Sequence, residues 1–250
     1  MLFRPWVLAP VVTPTHHSDD HTASQTGGGR RPLHERDPGL VEDSGSATDA
    51  AETGTTVVGV TTEDAAVLAA DQRASVGGGR FVTNKDTRKV EQIHPTAAAA
   101  LSGTVGHLQQ FVRVLRSESR LYADRRGDPP SMTALSTLAG GVLRSSPLAV
   151  SPLLGGVDDE RGPAVFTLDG GGGVLTDDYA AGGSGMQLAY GVLEQDYEPD
   201  LSPSDARRVA ARAVESASER DTASGNGVTV ATVTRDGVDA DDYDAPSEVA

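Results

Sequence analysis

The chain has 250 residues, 37% of them hydrophobic, enough for a substantial buried core; it has no cysteine, which excludes disulfides, thiolate nucleophiles and thiolate metal sites. A formal net charge of −15 sets the surface against nucleic-acid phosphates and anionic lipid, whose binding needs clustered Lys and Arg. No apolar run approaches the roughly 18 residues of a membrane span, so any covalent chemistry belongs to a non-membrane chain using an alcohol, an amine or a carboxylate.

Residues 1–54 are rich in Pro, Gly, Ser, Thr, Asp and His, show no period of 2 or 3.6, and read as a disordered leader. Pro5 and Pro10 break its apolar opening, Met1 to Val12, which argues against a signal peptide. Four of the six histidines, His16, His17, His21 and His34, fall here, and without a repeated spacing they read as solvated side chains rather than metal ligands.

From Thr55 the composition changes. Thr55 to Thr61 and Ala65 to Ala70 are short β-branched or small apolar runs separated by Glu63-Asp64, and they predict two paired buried strands. Further strands are expected at Lys89 to His94 and Ala97 to Ser102. Val105, Leu108, Phe111, Val112 and Leu115 then recur at helical spacing, predicting a helix that runs to about Arg125 before Gly127-Asp128-Pro129-Pro130 stops it. A second helix is expected over Met132 to Leu143, then strands at Ala149 to Val157, Ala164 to Leu168 and Val174 to Tyr179. Ser202-Pro203-Ser204-Asp205 marks a helix start, with Ser202 as cap and Pro203 at the first helical position. A last strand is expected at Val228 to Val233. The expected domains are a leader (1–54), a folded domain (55–236) and an acidic tail (237–250). The tail's Asp239, Asp241 and Asp244 hint at calcium spacing but lack the glycine and terminal glutamate of an EF-hand loop.

Familiar nucleophile and phosphate motifs fail. Ser184 in Gly182-Gly183-Ser184-Gly185-Met186 lacks the second glycine of a nucleophile elbow, and only His94 and His107 remain outside the leader to serve as a base. The glycine clusters Gly77 to Gly79 and Gly170 to Gly173 have neither the Lys-Ser/Thr of a phosphate loop nor a dinucleotide spacing, and read as turns. What stands out is the junction where the leader ends in Thr53-Gly54 and the first strand begins with Thr55-Thr56. If the Gly54–Thr55 bond is cut, Thr55 gains an α-amine whose ordinary pKa of roughly 7.7 to 8 suits a base for its own hydroxyl.

Thr53-Gly54 followed by Thr55-Thr56-Val57-Val58-Gly59-Val60 resembles the maturation site of proteasome β-subunits, which are N-terminal-nucleophile hydrolases. The resemblance continues through Ala69-Ala70-Asp71-Gln72-Arg73, Lys89-Val90-Glu91-Gln92-Ile93 and Leu101-Ser102-Gly103-Thr104. It also takes in Gly183-Ser184-Gly185, Tyr190 to Glu194, and Arg220-Asp221-Thr222-Ala223-Ser224-Gly225, so that it spans Thr55 to about Asp236. It implies an α+β fold, a four-layer αββα sandwich of two antiparallel sheets. Carried over, Thr55 is nucleophile and base, Lys89 the adjacent cation, Asp71 its partner, and Gly103 the oxyanion donor. Ser184, Asp221 and Ser224 surround the amine, and Leu101 floors the specificity pocket.

The same resemblance implies a threonine endopeptidase without cofactor or metal, degrading unfolded polypeptide in a closed cytoplasmic chamber. That chamber is built from stacked seven-membered rings of α- and β-subunits served by a regulatory ATPase. Of 21 basic residues only Lys85 and Lys89 are lysines, an acidic, lysine-poor balance of the kind halophilic proteins use in concentrated salt, although a GC-rich genome also favours arginine. Two alternatives remain: the related bacterial two-ring threonine protease, whose relatives lack the Arg-Asp-x-x-Ser-Gly stretch, and an uncleaved β-subunit that only completes a ring.

Overall fold

A computed structural model describes residues 54–249, and the expectations for the leader's disorder and histidines lie outside the described residues. The chain forms β1 (Thr56–Thr61), β2 (Ala66–Asp71), a short hairpin β3 (Ala74–Val76) and β4 (Phe81–Asn84), then β5 (Val90–His94) and β6 (Ala97–Gly103). Two helices follow, α1 (Val105–Arg126) and α2 (Met132–Ser145), then β7 (Val150–Asp158), β8 (Gly162–Leu168), β9 (Val174–Asp177) and β10 (Tyr179–Gly183). Helices α3 (Met186–Asp196) and α4 (Pro203–Ser218) precede β11 (Val228–Thr234) and β12 (Gly237–Tyr243).

The strands assemble into two five-stranded antiparallel sheets, one in the order β10-β1-β2-β11-β12 and the other β5-β6-β7-β8-β9. Their facing sides enclose Val57, Leu68, Ala98, Ala100, Leu153 and Val165. The outer face of the second sheet packs on α1 and α2 through Phe111, Leu115, Leu135 and Phe166, and that of the first on α3 and α4 through Val58, Leu193, Val209 and Val214. This is the expected four-layer sandwich: both faces of each sheet are apolar, so each needs two covers.

Helix boundaries follow the local chemistry. Gly127 adopts φ 84° and its N–H closes α1 on the Ala123 carbonyl, the left-handed stop that glycine tolerates. Ser202 accepts the Asp205 N–H at 3.1 Å to open α4, whose Ala206, Ala210, Ala213 and Ala217 all turn inward. Small side chains there let the helix lie close on β1 and β2.

Four expectations are corrected. The single strand over Val174–Tyr179 is two, because the chain leaves the edge of one sheet at Asp177 and joins the other at Tyr179; the intervening Asp178 carbonyl accepts the Thr61 N–H at 2.8 Å. The acidic tail of 237–250 is not a tail up to Tyr243: β12 pairs along the whole of β11, from Thr234↔Gly237 to Val228↔Tyr243. Arg207 holds it down, reaching Asp241 Oδ2 and the Tyr243 hydroxyl, both at 2.7 Å, so Asp241 is an ion-pair partner rather than a calcium ligand. The β3–β4 hairpin and α3 have no counterpart among the predicted elements. The hairpin is short and largely exposed, and α3 turns only Ala189 and Leu193 inward, too few for a helical period to show. Gly77, Gly78 and Gly79, all at positive φ (63°, 62° and 83°), do form the expected turn.

Candidate active site

Thr55 sits at the head of β1, between the ends of two neighbours: β10 finishes opposite Thr56 at Gly183, and β2 finishes at Asp71, one residue past the Val57↔Ala70 pair. A strand end is where side chains escape the ladder and can converge. Lys89 comes from the facing sheet, immediately before β5, and its carbonyl accepts the Leu101 N–H at 2.9 Å, which ties it to β6 and to Gly103 two residues on.

Two hydrogen-bonded groups meet at Thr55. In the first, the Thr55 hydroxyl donates to Asp71 Oδ1 at 2.6 Å, and Lys89 Nζ donates both to the same oxygen at 2.7 Å and to Thr55 Oγ1. Asp71 is fully buried and Lys89 5% exposed. A buried carboxylate needs all its lone pairs used, and Asp71 uses them: Oδ1 also accepts the Thr56 N–H at 2.9 Å, and Oδ2 accepts those of Arg73 at 3.1 Å and Gly225 at 2.8 Å. Burial pushes the Lys89 ammonium below its ordinary pKa, and the charge and hydrogen bond of Asp71 pull it partway back.

In the second group, Thr55 N donates to Ser184 Oγ at 3.1 Å, and Ser184 donates to Asp221 Oδ2 at 2.5 Å. Ser224 also donates to Asp221 Oδ2, at 2.7 Å. Seven of the expected residues therefore lie together: Thr55, Asp71, Lys89, Ser184, Asp221 and Ser224 in the networks, and Gly103, at the end of β6, in the lining of the cavity that Thr55 and Lys89 share. Leu101, 2% exposed, lines a cavity beside Thr55 together with Thr87, Val105 and Leu108.

Gly103 has φ +136°, and a Cβ there would overlap the Ala149 carbonyl oxygen and lie 2.8 Å from Val150 Cα. Gly103→Ala is expected to lose about 1–3 kcal/mol of stability from backbone strain alone, measured as a lowered denaturation midpoint; an unchanged midpoint would show that this backbone yields freely.

Two further residues belong to the site and were not predicted. Thr56 joins the two groups, its N–H on Asp71 and its hydroxyl 2.8 Å from Ser224 Oγ. Since Ser224 spends its proton on Asp221, Thr56 is the donor. Arg73 latches the loop that carries Asp221 and Ser224, donating to the Thr222 carbonyl at 2.9 Å and Asn226 Oδ1 at 2.8 Å. The doublet Thr55-Thr56 and the Asp71-x-Arg73 spacing were visible in sequence, but neither says which way a side chain turns.

Residues 51–233 match the protein family described as Proteasome subunit. A Proteasome subunit beta of Halorhabdus utahensis is 54% identical over 206 residues, covering 82% of this chain and 87% of its own length. Proteasome subunit beta 2 of Haloterrigena turkmenica is 57% identical over 198 residues (78% and 83%), and the Proteasome subunit beta of Natrialba magadii 58% identical over 189 (75% and 77%). With the junction, the two converging networks and the sandwich in place, identity at this level over this much of the chain leaves one conclusion: the chain belongs to the proteasome subunit family, as a β-subunit.

Proposed function

We propose that this β-subunit is made as a precursor, cuts its own Gly54–Thr55 bond, and then hydrolyses peptide bonds with Thr55. The observation that carries the reading is the convergence of Lys89 Nζ and Asp71 Oδ1 on the Thr55 hydroxyl, at the residue where the leader joins β1.

In the uncut chain Thr55 N is an amide and no base, so the hydroxyl proton must leave through the groups that touch Oγ1, Lys89 and Asp71. Thr55 Oγ1 attacks the Gly54 carbonyl carbon, the C–N bond breaks, and the proton ends on Thr55 N; the resulting ester is hydrolysed by water to a Gly54 carboxylate and a free Thr55 hydroxyl. The new amine sits against Ser184 and can take the hydroxyl proton in every later turnover. A substrate peptide then repeats the sequence: Oγ1 attacks its carbonyl, the amine delivers the proton to the leaving nitrogen, and water releases the acyl group. The Gly103 N–H, at the end of β6, serves the developing oxyanion, a role worth about 2.7–4 kcal/mol in comparable sites. Asp71 holds Lys89, and Ser184, Asp221 and Ser224 hold the amine.

N-terminal sequencing of the purified protein tests this directly: a start at Thr55-Thr56-Val57-Val58 is expected, and a retained leader in active rings would refute it. Leu101, Val105 and Leu108 give the cavity an apolar part that favours apolar side chains before the scissile bond, while its two cations, Arg73 and Lys89, already hold Asn226, the Thr222 carbonyl and Asp71 as partners. A fluorogenic peptide panel is expected to show at least about tenfold higher kcat/KM after apolar than after acidic residues. Equal rates would remove Leu101 from the specificity pocket.

The family places β-subunits in a core particle with α-subunits. The finer assembly we propose is stacked seven-membered rings with α-rings outermost, fed unfolded polypeptide by a regulatory ATPase in the cytoplasm. The domain limits follow: a removable leader over 1–54 and a hydrolase domain from Thr55 that includes β12. Among the described residues no helix is long and apolar enough to cross a membrane.

A further inference from the structure

We propose that Ala223 restricts the self-cleavage site to glycine at position 54, so that the chain's own bond and a substrate's bond are selected by two different walls of one site. The inference rests on Gly54–Thr55 being the processing site. Gly54 is buried, and a Cβ built on it would overlap the Ala223 methyl outright, with Ser184 Oγ at 2.9 Å and Ala223 Cα at 3.1 Å. None of these three nearest atoms belongs to Leu101, Thr87 or Val105, which wall the cavity assigned to substrate side chains.

The Ala223 wall is fixed from behind. Its N–H donates to Asp221 Oδ1 at 3.1 Å and its carbonyl accepts the Ser75 hydroxyl at 3.2 Å. The β3–β4 turn presses on it so closely that a Cβ on Gly79 would meet Ala223 N at 2.8 Å and Thr222 Oγ1 at 2.6 Å. Ser184 is held by Asp221 and Thr55 N. A side chain at position 54 therefore cannot push the wall away; the displacement falls on the Gly54 carbonyl carbon, the atom Thr55 Oγ1 must reach. A misplacement of about 1 Å costs about 100-fold in rate. A peptide substrate escapes this constraint because its acyl residue is not joined to Thr55 N and is free to turn its side chain toward Leu101.

The test is a processing assay on the full chain assembled with its α-subunits, following the fraction of chains that begin at Thr55 by intact mass. Gly54→Ala is expected to cut about 100-fold more slowly than wild type, and Gly54→Ala with Ala223→Gly to recover at least about tenfold of that loss. Ala223→Gly alone is expected to process normally. Gly54→Ala cutting within about threefold of wild type, or a double variant no faster than Gly54→Ala, would overturn the role of Ala223. A wild-type chain that itself stays uncut would overturn the processing reading and this inference together.

Discussion

Thr55→Ala is expected to keep residues 1–54 attached and to lose peptidase activity by more than about a thousandfold, the scale of loss seen when other enzymes lose a nucleophile. Both events use the same oxygen. Removing it leaves Lys89 and Asp71 paired with each other and the rest of the fold untouched, because Thr55 lies before β1 and contributes its hydroxyl to no other partner than these two. The variant should therefore fold and still carry its leader, which intact mass would show as one uncut species. Normal processing in Thr55→Ala would end the assignment, since the proposed cut needs the Thr55 hydroxyl as its nucleophile.

How much of this was legible in the sequence depends on whether a residue's role is local. The junction at Gly54–Thr55 is legible because a leader without periodicity meets a strand of β-branched residues, and the change is sharp. Helix α4 is legible from Ser202-Pro203 and the alanine spacing, both local signals. The strand β12 is not, because only Val238 and Ala240 pack toward the space between the sheets, while Asp241 and Tyr243 on its other face are held by Arg207, thirty-odd residues away in sequence on α4. Only the Asp236-Gly237 pair at the turn between β11 and β12 signals a hairpin there, and the aspartates around it argue the other way. The same limit applies to the site: Asp71 and Lys89 were reached by resemblance, whereas the bridging hydroxyl of Thr56 and the closeness of Ala223 to Gly54 depend on three strand ends meeting one loop.

Lys89→Arg is expected to assemble but lose about 100-fold or more of peptidase activity, whereas Lys85→Arg stays close to wild type. The composition has replaced almost every lysine by arginine, so a buried lysine calls for a reason beyond charge; Lys85 is exposed and has none. Lys89 is 5% exposed, and its ammonium is wedged between Asp71 Oδ1 and Thr55 Oγ1. Arginine brings the same charge on a broader planar fork, which has to displace one of those two oxygens or the walls behind them. It also cannot give up a proton, whereas burial holds the Lys89 ammonium below its ordinary pKa. After the cut, a compact cation about 4 Å from the new amine would act on it with roughly 4 kcal/mol at an effective dielectric of 20 before the opposing charge of Asp71 is counted, a push against the protonated amine that favours its role as a base. A displaced guanidinium loses that alignment. Turnover measured on rings matched for assembly, with the leader removed by design so that processing cannot limit the result, separates the two variants; near-normal activity in Lys89→Arg would reduce Lys89 to a structural partner of Asp71.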